Sequence, residues 1–118
     1  LFMRAEDYVQ AQRRRRELVA AVEAAFGEVD LLLTASSMDA ACKSDDPEAV
    51  ELTYPRQART PFNVTGHPAM TMMCGISKVE GLPLSLQLVG PSFGEAAIYR
   101  AAAAYERAAP WKDLRPAL

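Results

Sequence analysis

The clearest periodicity in the chain is a strict alternation. Leu82, Leu84, Leu86 and Leu88 interleave with Pro83, Ser85, Gln87 and Val89. A period of two over eight residues predicts a β-strand. Its leucine side is expected to form core, and its Ser85 and Gln87 side to tolerate change better. A different period governs the start of the chain. Leu18, Val22, Ala25 and Phe26 fall at i, i+4, i+7 and i+8, the apolar stripe of a helix from about Glu6 to Phe26. Gly27 stands where a helix C′ glycine would. A second helix is expected from Ser92 to about Ala108. There Ser92-Phe93-Gly94-Glu95 reads as a capping box, Ile98, Ala101, Ala102 and Tyr105 form the buried stripe, and Pro110 ends the run.

Shorter signals fill the interval. Val29–Leu33 is a short apolar run, broken only by Asp30, behind a turn glycine, the pattern of a strand buried on both faces. From Ala35 to Tyr54 the residues turn small, polar and acidic, which predicts a surface loop with room for a short helix after Pro47. In Thr60-Pro61-Phe62-Asn63-Val64-Thr65-Gly66, Thr60 suits an N-cap, Pro61 suits N1 and Gly66 suits the close of one short helix. His67 before Pro68 is pushed to extended backbone, and Ala69–Cys74 reads as a methionine-rich strand. Glycines at 75 and 81 bracket a hairpin link to the leucine strand. The predicted order is helix, strand, loop, short helix, strand, strand, helix, an α/β class.

Composition narrows the function classes. Thirteen basic and fifteen acidic residues among 118 leave a net charge of −2, which lacks the basic footprint of a nucleic-acid binder. Arg13–Arg16 fan around all sides of a helix at about 100° per residue, so they make no single basic stripe. Glu17 and Glu23 dilute them further, and a solvated face with one or two salt bridges is expected. Leu31–Leu33 is far short of the roughly 20 apolar residues that span a bilayer. No secretory signal opens the chain. Cys42 and Cys74 fit two reduced thiols and a cytoplasmic setting. A compact domain of this mass exposes about 6,300 Å² and buries about two-thirds of its unfolded surface, enough for a core.

Catalytic chemistry is sparse. His67 is the one histidine, sits in a turn and reads as a packed or solvated side chain rather than a base. Ser36 and Ser37 with Lys43 suggest serine–lysine chemistry, but no glycine-rich oxyanion nest accompanies them, so they read as loop residues. Asp45 and Asp46 form no dyad of defined geometry. Asn63-Val64-Thr65 is a glycosylation sequon that matters only in a secreted chain. No metal-ligand spacing or phosphate-cradling loop is present, and no cofactor is expected. Three apolar strands with two long helices also leave much sheet surface to cover. The first methionine, Met3, lies inside the chain, which points to an incomplete copy.

One stretch carries a resemblance. Arg59-Thr60-Pro61-Phe62-Asn63-Val64-Thr65-Gly66-His67-Pro68-Ala69, followed by Cys74-Gly75 and by Gly81-Leu82-Pro83-Leu84-Ser85-Leu86-Gln87-Leu88-Val89-Gly90, resembles the C-terminal signature of the amidase signature family. Upstream, Asp7-Tyr8-Val9-Gln10-Ala11 and Asp30-Leu31-Leu32-Leu33-Thr34 look like that family's preceding helix and strand, with Ala35-Ser36 in place of Pro-Thr. The resemblance covers roughly residues 5–108. It implies a large mixed sheet covered by helices, of which residues 1–118 are a single C-terminal unit. It also implies amide hydrolysis by a Ser–cis-Ser–Lys triad through an acyl-enzyme, or the related role of the A subunit of tRNA-dependent amidotransferases. The glycine- and serine-rich segment that bears the triad is not in this sequence, so no catalytic residue is assigned and the stretch is expected to be inactive alone. By analogy with relatives, Phe62 and Asn63 are expected on the substrate side; the alternative is that Asn63 caps backbone groups and Phe62 packs inward. Expected partners are an N-terminal portion of the same amidase, a small amide substrate in the complete enzyme, and a second copy in a homo-oligomer, with neither nucleic acid nor membrane. The rival class is a stand-alone binding or scaffold module without catalysis.

Overall fold

The computed structural model describes residues 2–115. Helix α1 (Ala5–Ala25) leads to β1 (Leu32–Ala35), α2 (Pro47–Thr53), α3 (Thr60–Thr65), β2 (Ala69–Ile76), β3 (Pro83–Val89) and α4 (Glu95–Ala108), with a 3₁₀ turn at Pro110–Asp113. The strands form one sheet in the order β1-β3-β2, and both pairings are antiparallel. The α/β class and the expected element order hold, with α2 filling the space left for it after Pro47. Asp46 caps that helix by accepting from Ala49 N–H at 3.0 Å, and a proline occupies its first turn, where a missing N–H costs nothing.

Several local expectations change. The first strand starts later than the apolar run and is not buried on both faces, since Leu33 is 68% exposed. Helix α1 ends without a left-handed glycine. The N–H groups of Phe26, Gly27 and Glu28 instead bond three residues back, to Glu23, Ala24 and Ala25, the tightened last turn that satisfies orphan carbonyls. Ser92 does not cap α4. Gly94 is its N-cap, because Gly94 N–H closes a turn onto Pro91 C=O at 2.8 Å with Phe93 held at φ 61°. By contrast, Gly66 ends α3 at φ 83°, a conformation that disfavours any residue with a Cβ.

Register decides which strand face matters. Val89, Gln87 and Ser85 of β3 lie opposite Leu32, Thr34 and Ser36 on the β1 side, and opposite Ala69, Thr71 and Met73 on β2. The leucines lie on the other face with Leu33, Met70 and Met72. Val89 is fully buried and Gln87 nearly so, whereas Leu86 and Leu88 are half-buried and Leu84 is exposed. The expected leucine core is therefore reversed: the tighter face is the one that carries Gln87. Its amide donates to Thr34 Oγ1 at 3.1 Å, the partner that makes a buried glutamine tolerable. At the end of β3, α4 presses Ile98 against Gly90, where an added Cβ would come within 3.1 Å of Ile98 Cδ1.

The apolar core is small. Among the described residues only Val89, Ile98 and Ala102 are buried hydrophobics. The accessible surface is 9071 Å², about 2,800 Å² above the roughly 6,300 Å² of a compact chain this size. The radius of gyration is 17.3 Å, against about 13.5 Å for a compact 118-residue domain. With so few packed sites, each carries a large share of stability. Ile98→Ala should cost about 2–5 kcal/mol, while Leu33→Ala, on the open face of β1, should stay within about 0.5 kcal/mol. Urea unfolding followed by circular dichroism checks both, and equal costs would mean that α4 does not hold the core.

Candidate functional site

The expected site residues, Phe62 and Asn63, sit on α3, a six-residue helix too short to be stable alone. Its position is set from outside. Arg15, on α1, donates from Nε to Val64 C=O at 2.6 Å and from Nη2 to Thr65 C=O at 3.5 Å. These are last-turn carbonyls, so a cation there satisfies orphan acceptors and meets the negative end of the helix dipole. Phe62 is half-buried and its carbonyl accepts from Gly66 N–H at 2.8 Å; Asn63 is exposed.

A buried polar chain continues from α3 into the turn before β2. His67 Nδ1 and Thr65 Oγ1 are 2.7 Å apart, and the ring lies against Phe26 with centroids 5.7 Å apart. Nε2 approaches Glu23 Oε1 at 3.1 Å, close enough for an ion pair with a protonated ring but off the line of a hydrogen bond. The Ser92 hydroxyl donates to the same carboxylate oxygen. Glu23 thus joins α1 to the turn before β2 and to the turn before α4. Its carboxyl is held below the ordinary value of 4.5, chiefly by the Ser92 hydrogen bond and further by the His67 ring, against an opposing effect of desolvation.

Of the packed and solvated readings that its turn left open for His67, the structure shows the packed one. Arg15 and Glu23, expected on a solvated face, are instead the residues that fix α3 and the turns, and Ser92 serves them rather than capping α4. No local signal marks these roles, because the partners lie 44 to 69 positions away. Ser36 and Ser37 are not brought to a base. Ser36 is buried with its hydroxyl 3.3 Å from Thr71 Oγ1, and Ser37 Oγ accepts from Asp39 N–H at 3.4 Å. Both line a polar cleft of about 380 Å³ with Asp39, Thr53, Tyr54 and Arg59. Cys42 and Cys74 are free thiols. No group of three or more His, Cys, Asp or Glu side chains among the described residues gathers at a metal-binding distance, and no helix among them is long and apolar enough to cross a membrane.

A model of the Amidase family matches residues 2–99. The chain belongs to the amidase family. It is 35% identical over 115 residues to the A subunit of the glutamyl-tRNA(Gln) amidotransferase of Cyanothece sp., covering 94% of this chain and 23% of that protein. The corresponding subunit of Parvibaculum lavamentivorans is 40% identical over 109 residues, with 89% and 22% covered. Among solved structures, the A subunit of the glutamyl-tRNA(Gln) amidotransferase of Thermotoga maritima superposes with a TM-score of 0.78 at 26% identity, over 87% of this chain and 23% of that one. A 6-aminohexanoate cyclic dimer hydrolase superposes at 0.73 and 25% identity, over 97% and 26%. This amidase-family chain thus spans about a quarter of the length of the relatives it matches, which accords with a piece of a larger fold.

The Glu23 link gives a pH dependence of defined sign. Its folded-state pKa lies below the unfolded value, so its contribution is complete above the ordinary carboxylate value and is lost as pH falls through the lowered one. Arg15 and His67 are the other charged or titratable groups around the turn. Glu23→Gln should flatten the acid limb of stability against pH while changing stability less in acid than at neutrality. Urea midpoints measured between about pH 7 and pH 3 check this, and parallel limbs for the two proteins would contradict it.

Proposed function

We propose that residues 1–118 form one unit, the C-terminal portion of an amide-bond hydrolase, supplying sheet, covering helices and part of the pocket wall. The observation that carries this reading is the family match over residues 2–99 combined with the lack of a nucleophile–base pair around Ser36 and Ser37. Acyl transfer needs a nucleophile, its base and an oxyanion site in one geometry. In this reading the Ser–cis-Ser–Lys triad comes from an N-terminal portion, in a cytoplasmic enzyme that needs no cofactor. Phe62 and Asn63, held by Arg15 and by the Thr65–His67–Glu23 chain, face the amide substrate across that junction. The N-terminal portion packs on the sheet surface that this chain leaves uncovered.

The amidotransferase A subunit is a second reading, favoured by the names of the relatives at 35–40% identity. Its chemistry at the amide would be similar, with an added partner subunit. A small aromatic amide distinguishes the two, since a general amidase turns it over without further subunits.

The chain should be inactive on such an amide alone and become active only when the separately expressed N-terminal portion is added. Turnover by the chain alone, abolished by a substitution within it, would sink the proposal. In the reconstituted enzyme, Ser36→Ala and Ser37→Ala should leave kcat nearly unchanged, because removing a true nucleophile costs orders of magnitude. A loss above about a hundredfold with folding intact would return these serines to the catalytic machinery.

A further inference from the structure

Thr65 has one hydroxyl proton and two acceptors within its reach. Its Oγ1 lies 2.7 Å from His67 Nδ1 and 3.4 Å from the Phe62 carbonyl oxygen. Which of them it serves depends on the ring. A neutral imidazole carries one N–H and one bare nitrogen. The His67 side chain is fully buried, and Nε2 meets Glu23 Oε1 at 3.1 Å. A bare lone pair there would face a carboxylate oxygen, whereas an N–H faces an opposite charge. The neutral ring therefore carries its proton on Nε2, and the Thr65 hydroxyl donates to Nδ1. A second proton on the ring reverses that bond. Nδ1–H then donates, Thr65 Oγ1 accepts, and the hydroxyl proton turns to Phe62 C=O. That carbonyl already accepts from Gly66 N–H at 2.8 Å and has a second lone pair to offer.

We propose that His67 and Thr65 form a proton-operated switch on the last turn of α3, in which protonation of the buried ring adds the Thr65 hydroxyl to the bonds that hold Phe62 C=O. The proton comes from solvent and forms one new N–H bond at Nδ1. No other covalent bond changes, because the hydroxyl only rotates about Cβ–Oγ1. Few charged groups surround the ring. From α1, Glu23 faces Nε2 and supplies the counter-charge of an imidazolium, while Arg15 reaches Thr65 C=O at 3.5 Å. Helix α3 and strand β2 bring no charged side chain. The turn before α4 brings the Ser92 hydroxyl, which donates to Glu23, and the remaining neighbour is the Phe26 ring. The effect falls on the six-residue helix that carries Phe62 and Asn63. Its last turn gains a hydrogen bond in acid and gives it up toward alkaline pH. All of these groups belong to this chain, which buries the ring by itself, so the switch does not depend on what covers the sheet. It is also independent of the amide-hydrolase reading, since it needs only α1, α3 and the turns beside them.

Nuclear magnetic resonance of the 118-residue chain tests this directly, because its single histidine gives one set of ring signals. Long-range ¹H–¹⁵N spectra of ¹⁵N-histidine-labelled protein should show Nε2 protonated and Nδ1 bare at about pH 8. Both nitrogens should be protonated at about pH 5, across the range in which histidine ordinarily changes charge. The ¹³C resonance of the Phe62 carbonyl should move with the same midpoint as the ring. In Thr65→Val that carbonyl should stop following the ring, while in Thr65→Ser, which keeps the hydroxyl, it should still do so. Should the valine variant fail to fold, the tautomer and the shared midpoint in the wild type decide. A neutral ring protonated at Nδ1 would overturn the proposal, as would a ring that keeps one protonation state from about pH 8 to about pH 5. So would a Phe62 carbonyl that does not follow the ring in the wild type, or one that still follows it in folded Thr65→Val.

Discussion

Shortage of buried apolar surface governs this chain. Half of its residues are hydrophobic, yet Val89, Ile98 and Ala102 are the buried hydrophobics among the described residues. The reason is geometric. A three-stranded sheet with one long helix against it covers part of one face, while α1 touches the rest through α3 and the turns beside it. Hydrophobic stabilisation follows area removed from water at about 25 cal/mol per Å², so a surface this large leaves much of the available driving force unused. A covering partner would recover it. That the chain spans about a quarter of its relatives' length is the same fact seen in sequence.

With so little core, polar contacts acquire architectural weight. Arg15, Glu23, His67, Thr65 and Ser92 tie α1 to α3 and to the turns before β2 and α4. Of this group Thr65 and His67 are buried, where a lost partner costs more than at the surface. The chain of contacts adjoins α3, so it fixes the one short helix on which Phe62 and Asn63 lie. A helix of six residues has no stability of its own to contribute. Its placement comes from α1 through a guanidinium.

Much of the fold was legible because local rules act over a few residues. Pro47 behind Asp46, Gly66 after Thr65, Gly81 in the hairpin link and the alternation in β3 each fix a short piece of backbone by propensity or sterics, and the elements stand where those residues put them. Gly75, expected to open that link, instead lies inside β2 opposite Leu84. Failures occurred where a tertiary partner prevailed over a local one. Ser92 has the spacing of a capping serine, but its hydroxyl goes to Glu23 on another helix. Gly27 has the position of a left-handed cap, but the last turn of α1 tightens instead. Leu84, Leu86 and Leu88 carry the apolar signal of β3, yet cover is supplied mainly to the opposite face.

The sequence by itself determined the helices, the strands, the hairpin and the family, because backbone preference and a run of specific residues at 59–90 are written in consecutive positions. Tertiary structure alone decided that Gln87 rather than the leucines is the better buried side of β3, that Arg15 closes α3, and that Glu23 joins three segments. Those outcomes depend on partners 44 to 69 residues apart and on which sheet face receives cover, and neither quantity is encoded in the neighbourhood of any one residue.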